Sequence, residues 1–143
     1  MTGAGMGTYA GVAGIGIDVA DIRRFERLVA RDAQRLWRHW FTPAETKLCS
    51  NSRRPAESTA MRFAVKEATL KAVGSSFSGP VRWRDIEVLG DARRLDVRVA
   101  GEIASLARTA GIGTFRASAS HAGKWILATV IAETDQPSLG DNI

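Results

Sequence analysis

The sequence has 143 residues, 45% hydrophobic and 24% charged, which is one domain's worth of chain and excludes wholesale disorder or a fibrous repeat. Twenty Lys and Arg against fifteen Asp and Glu leave a formal charge of +5 and a pI near 10.1. An anionic partner follows, with nucleic acid, membrane, phosphate ligand and acidic protein all open. A single cysteine, Cys49, excludes an internal disulfide, and two histidines, His39 and His121, leave no cluster of zinc spacing, which suits a reducing, cytoplasmic setting. No run approaches the roughly 20 apolar residues of a membrane span.

Residues 1–11 are small and Gly-rich and read as a loose leader. The β-branched, glycine-interrupted run Val12-Ala13-Gly14-Ile15-Gly16-Ile17-Asp18-Val19 predicts a buried strand, closely approached by other backbone and ending at Asp18. Asp21 then caps a helix to about Trp37, with Ile22, Phe25, Val29, Ala33 and Leu36 as its apolar stripe. Arg24, Arg27, Arg31, Arg35 and Arg38 recur every three or four residues and are expected on one opposite face. Thr42-Pro43-Ala44-Glu45 is a capping-box start for a short helix ending by Asn51. After the Ser52-Arg53-Arg54-Pro55 breaker, a long helix runs from about Glu57 to Val73 and stops at Gly74. Residues 75–80 read as loop. Alternating residues around Ile86 and Val88, and again around Leu95, Val97 and Val99, predict two paired strands, and Ile103, Leu106, Ala107 and Ala110 a short helix. Phe115 to Ser120 and Trp125 to Ala132 alternate about His121-Ala122-Gly123-Lys124, which places His121 at a hairpin tip. The domain is expected to span residues 12–133, with residues 134–143 a frayed tail.

One residue on the long helix breaks the pattern. Glu67 falls between Phe63 and Leu70 on the apolar stripe, so a carboxylate is aimed at the core and needs a cation, hydrogen bonds or a metal. Lys71, four residues on, offers an ordinary helical ion pair. The other reading joins Glu67 to Asp18 as hard oxygen ligands of a divalent cation on a phosphate-bearing substrate, with Arg62, Lys66 and Lys71 adding positive charge around it. Neither the dinucleotide glycine fingerprint nor a Gly-Lys-Ser/Thr phosphate loop is present. No basic and aromatic residues interleave as in a nucleic-acid platform.

Taken together, Gly14-Ile15-Gly16-Ile17-Asp18, Arg24, Phe41-Thr42-x-x-Glu45, Arg62-Phe63-Ala64-Val65-Lys66-Glu67-Ala68, Lys71-Ala72-Val73-Gly74, Trp83-x-Asp85-Ile86-Glu87-Val88 and Ser118-Ala119-Ser120-His121 resemble, in order and spacing, the holo-acyl-carrier-protein synthases, small 4′-phosphopantetheinyl transferases. The resemblance implies a compact α+β domain with a long helix packed on an antiparallel sheet, assembled as a homotrimer with active sites between subunits. It implies Mg²⁺-dependent transfer of 4′-phosphopantetheine from coenzyme A to a serine of an apo carrier protein, releasing adenosine 3′,5′-bisphosphate. The residue roles it carries over are Asp18 and Glu67 for the metal, and Asp18, Glu67 and Lys71 for catalysis. Arg62, Lys66, Lys71, Gly74, Ser120 and His121 fall to the coenzyme, with His121 meeting Glu67 across an interface. Arg24 falls to docking of the acidic carrier, beside Arg27, Leu28 and Arg31. The chain departs from the family pattern at Ser75-Ser76-Phe77, where Thr-Gly is usual, and at Gly90-Asp91-Ala92, a turn that lacks the usual proline. A non-catalytic basic module for an acidic protein or nucleic acid is the alternative; it explains the arginine helix and leaves Glu67 and Asp18 without a purpose.

Overall fold

A computed structural model describes residues 11–74 and 79–135. Most of the expected leader, residues 75–78 of the expected loop and residues 136–143 of the expected tail lie outside them. In chain order the elements are β1 (Val12–Asp21), α1 (Ile22–Trp40), α2 (Pro43–Ser50), α3 (Pro55–Val73), a 3₁₀ turn (Trp83–Asp85), β2 (Ile86–Asp91), β3 (Arg94–Val99), α4 (Gly101–Thr109), β4 (Ile112–Ala122) and β5 (Trp125–Thr134). β1, β5 and β4 form an antiparallel sheet in that order, and β2 and β3 form a separate antiparallel ribbon. The expected α+β architecture is what the chain adopts, and none of its described helices is long and apolar enough to cross a membrane.

α3 is the central element. Its residues from Thr59 to Lys66 are all buried, because β1 and β5 cover one side while α1, α2 and β2 cover the others. Phe63 sits among Phe25, Trp40 and Trp83, with ring centroids 4.7–5.5 Å apart, and the Trp37 indole N–H donates to Thr59 Oγ1 at 3.0 Å, tying α1 to α3. The glycines of β1 set the strand–helix spacing. A Cβ on Gly14 would lie 2.0 Å from Ala72 O, and one on Gly16 only 1.8 Å from Ala68 O. The backbone of α3 therefore rests directly on β1.

Two expectations change. β1 is not buried on both faces and does not end at Asp18. It continues to Asp21, pairing Asp18 with Ala128 and Asp21 with Trp125. Its Gly14, Gly16, Asp18 and Ala20 face turns toward α3, whereas Ile15, Ile17 and Val19 on the other face are 66%, 56% and 55% exposed. Strand alternation makes this division obligatory once the glycines lie under the helix. The arginine row is also not one stripe. Asp32 leaves helical geometry at φ −166° and ψ 86°, and its Oδ1 accepts the Arg35 N–H at 3.1 Å, starting a fresh helical segment. Arg24, Arg27 and Arg31 belong to the first segment, Arg35 and Arg38 to the second.

Local signals formed as expected elsewhere. Asp21 caps α1 through the Arg23 N–H, Thr42 and Glu45 make a reciprocal capping box on α2, and Gly74 ends α3 at φ 110°, where its N–H donates to Leu70 O. His121 is the penultimate residue of β4 and pairs with Ile126; the turn itself contracts to Gly123-Lys124, with Gly123 at φ 58°.

Candidate active site

The close approach permitted by Gly16 brings Asp18, two residues further along β1, against Glu67, the residue before Ala68 on α3. The consequence is electrostatic. Burial and the neighbouring Asp18 carboxylate push the Glu67 carboxyl up to about 7, with Lys71 and Arg24 pulling the other way. The ammonium of Lys71 reaches across to β1, where it donates to Asp18 Oδ1 at 3.1 Å and to Ile17 O at 3.0 Å. The ion pair that Lys71 forms is therefore with Asp18, not the i,i+4 pair with Glu67 that helical spacing offers. Two facing carboxylates with one exposed lysine are a donor set of hard oxygens that suits Mg²⁺, which takes one or two protein carboxylates and completes its shell with water and phosphate oxygens. No group of three or more His, Cys, Asp or Glu side chains placed to hold a metal ion gathers among the described residues.

Arg24 lies within electrostatic reach of this pair, at the start of α1, with its guanidinium carbon 5.6 Å from the Phe25 ring centroid. The exposed arginines Arg24, Arg27 and Arg31, with the half-buried Leu28, extend along α1 from the carboxylates.

Ser120 and His121 stand elsewhere. His121 Nδ1 is 3.7 Å from Glu57 Oε1, and Glu57 precedes Glu67 by ten helical residues, about 15 Å along the axis. Within one chain His121 therefore does not reach the carboxylate pair. Adjacent residues of β4 point to opposite faces, so His121 looks toward α3 while Ser120 shares the face of its pairing partner Leu127. Around His121 is a cavity of about 620 Å³ lined by Arg53, Arg54, Met61, Arg62, Ser120 and the turn Gly90-Asp91-Ala92. Arg53 and Arg54 are not singled out by sequence reasoning, which reads them as part of a helix breaker; the doubled arginine beside a helix start was the available signal.

Lys66 corrects an expectation. Its ammonium has no exposed surface, so it adds no charge around a ligand from that position. It donates to Glu45 Oε1 at 2.8 Å, to Trp83 O at 2.9 Å and to Ile86 O. Three ammonium protons thus meet three acceptors, while Glu45 accepts from Lys66, Thr42 N–H and Val88 N–H, so donor counting makes both groups charged. Burial opposes this, pushing Glu45 up and Lys66 down. Arg62 is likewise 3% exposed, its Nη1 and Nη2 each donating at 2.7 Å to Val88 O and Gly90 O.

The model of the 4′-phosphopantetheinyl transferase superfamily matches residues 14–130. A holo-[acyl-carrier-protein] synthase of Clavibacter michiganensis subsp. michiganensis is 39% identical over 127 residues, spanning 88% of this chain and 99% of that protein. The chain belongs to the holo-[acyl-carrier-protein] synthase family. Its fold agrees: the crystal structure of the Neisseria meningitidis holo-[acyl-carrier-protein] synthase superposes with a TM-score of 0.74 at 30% identity, over 87% of this chain and all of that one. The Helicobacter pylori holo-[acyl-carrier-protein] synthase in complex with coenzyme A superposes with a TM-score of 0.68 at 26% identity, over 82% and 98% of the two chains. Membership makes this chain an enzyme, a transferase of the holo-[acyl-carrier-protein] synthase type.

Proposed function

We propose that this enzyme transfers 4′-phosphopantetheine from coenzyme A to a serine hydroxyl of an apo acyl carrier protein. The serine oxygen gives up its proton to the Glu67 carboxylate and forms a bond to the β-phosphorus, while the bond from that phosphorus to the bridging oxygen breaks and that oxygen leaves on adenosine 3′,5′-bisphosphate. The observation that carries this reading is the facing pair Asp18 and Glu67, bracketed by Lys71 and Arg24, in a chain of this family. Such transfer asks the protein for alignment and for charge neutralisation rather than for covalent chemistry.

Asp18 and Glu67 are the residues that would hold Mg²⁺, which when bound polarises a pyrophosphate oxygen and offsets charge developing in the transition state. Lys71, anchored on Asp18 yet exposed, is free to turn its ammonium to the departing phosphate. Arg24, Arg27, Leu28 and Arg31 form the docking face for the acidic carrier. Because Arg24 acts on Glu67, a carrier held on α1 presents its serine beside the carboxylates.

The cavity beside His121 takes the nucleotide end of coenzyme A, with Arg53, Arg54 and His121 directed to its phosphates. Its distance from Glu67 within one chain supports a site that combines two subunits. The exposed Ile15, Ile17 and Val19, continued on β5 by Trp125 and Leu127 at 46% and 40% exposure, form one apolar sheet face that suits burial between copies of the chain. A homotrimer closed over that face satisfies both needs. The lone Cys49, wholly buried, supports a cytoplasmic setting.

Incubation of the full chain with coenzyme A, Mg²⁺ and a panel of apo carrier proteins, followed by mass spectrometry of the carrier, tests the proposal. A serine-linked phosphopantetheine adduct is expected. Coenzyme binding with no adduct on any carrier would overturn it.

A further inference from the structure

The β2–β3 ribbon has an edge that no strand covers among the described residues. β2 pairs with β3, matching Ile86 with Val99, Val88 with Val97 and Gly90 with Leu95. On its other side, the backbone groups of residues 86, 88 and 90 enter the interior beside α3, where unpaired carbonyls and N–H groups are costly. Three buried charged side chains meet them in sequence. Lys66 donates to Ile86 O, Glu45 Oε2 accepts the Val88 N–H at 3.1 Å, and Arg62 donates to Val88 O and Gly90 O. Side chains of α2 and α3 thus do the work of a missing neighbouring strand.

Arg62 suits its position by shape. Its planar fork spans two carbonyls two residues apart on one strand edge, which the single nitrogen of a lysine cannot do. Its Nε is buried and has no partner among the described residues. The guanidinium therefore accepts one unpaired donor in return for two charge-assisted bonds, and it cannot turn to a ligand without abandoning both. The anchored segment runs directly into Gly90-Asp91-Ala92, the cavity wall. Gly90 takes φ 85°, and a Cβ there would lie 2.0 Å from Arg94 O, so the turn is tight and follows wherever β2 is held.

We infer that Arg62 is a positioning residue: by holding the Val88 and Gly90 carbonyls it fixes the β2–β3 turn as one wall of the coenzyme cavity, and it does not itself bind the coenzyme. The catalytic consequence rests on the cavity being the nucleotide end of the coenzyme site, as proposed above. The anchoring rests on geometry alone.

The test uses Arg62→Met and Arg62→Lys in the full chain, read first without coenzyme. Amide hydrogen exchange followed by mass spectrometry should show protection of residues 88–94 reduced about tenfold or more in Arg62→Met and by less in Arg62→Lys, with α3 unchanged. Steady-state transfer should then show KM for coenzyme A raised about tenfold, with KM for the carrier within about twofold of the parent enzyme. Unchanged exchange in coenzyme-free Arg62→Met would overturn the anchoring. A loss of active protein that leaves both KM values unaltered would reduce Arg62 to a fold-stabilising residue and overturn the positioning role. Because the exchange measurement uses no coenzyme, its outcome is separate from the success or failure of the proposed function.

Discussion

Replacing Gly16 with Ala probes the contact on which the site depends. The new methyl carbon would stand 1.8 Å from Ala68 O and 2.7 Å from Ala68 C. Both atoms belong to the backbone of α3 and cannot rotate aside. Restoring an ordinary 3.4 Å contact asks β1 and α3 to separate by about 1.6 Å, in a core that packs as densely as an organic crystal. Overpacking of this kind costs about 1–3 kcal/mol, and an immovable obstacle puts Gly16→Ala near the upper figure. At this chain length about 3 kcal/mol lowers Tm by about 10 °C. The same displacement moves Asp18 from Glu67, and about 1 Å of misplacement costs about 100-fold in rate. Thermal unfolding followed by circular dichroism, and adduct formation followed by mass spectrometry, read the two effects. Gly11→Ala is the control, since its Cβ would meet only Thr134 Oγ1 at 3.9 Å. If Gly16→Ala melted within about 2 °C of the parent and transferred at the parent rate, the close approach would not be what assembles the site.

Protons and Mg²⁺ should compete for the carboxylate pair. Glu67 is raised from 4.5 to about 7 in the fold, so between those values the folded chain keeps a proton that the unfolded chain releases, and this contribution to stability is lost as pH rises through about 7. Mg²⁺ should therefore raise Tm more at about pH 8 than at about pH 6, and Glu67→Gln should remove the difference along with nearly all transfer; a Mg²⁺ effect independent of pH would refute the pairing. Arg24→Glu combined with Arg31→Glu should raise KM for the carrier about tenfold or more while leaving KM for coenzyme A within about twofold; equal effects on both would remove α1 from docking. Ile17→Lys places a charge in the middle of the exposed apolar sheet face and should shift the sedimentation mass to that of a single chain, with transfer lost in parallel; an unchanged oligomer would mean that this face is not the interface.

Sequence alone carried what is local. Asp21, Thr42 with Glu45, and Gly74 marked helix ends because caps act within a turn of the residue that makes them. Period identified Glu67 as a carboxylate on an apolar stripe, and the glycines of β1 announced that some backbone would come close. Asp32 carried a local signal too, a capping residue three before Arg35, but a continuous arginine period masked it. Tertiary structure decided what crosses the chain. That the approaching backbone is α3, that Lys71 chooses Asp18 over Glu67, and that Lys66 pairs with Glu45, twenty-one residues away, are outcomes of packing. Periodicity places a residue on a face; it does not say which unpaired strand edge lies opposite. For that reason Arg62 and Lys66 read from the sequence as free positive charge, whereas the fold spends both on the backbone of β2 and leaves the carboxylate pair to Lys71 and Arg24.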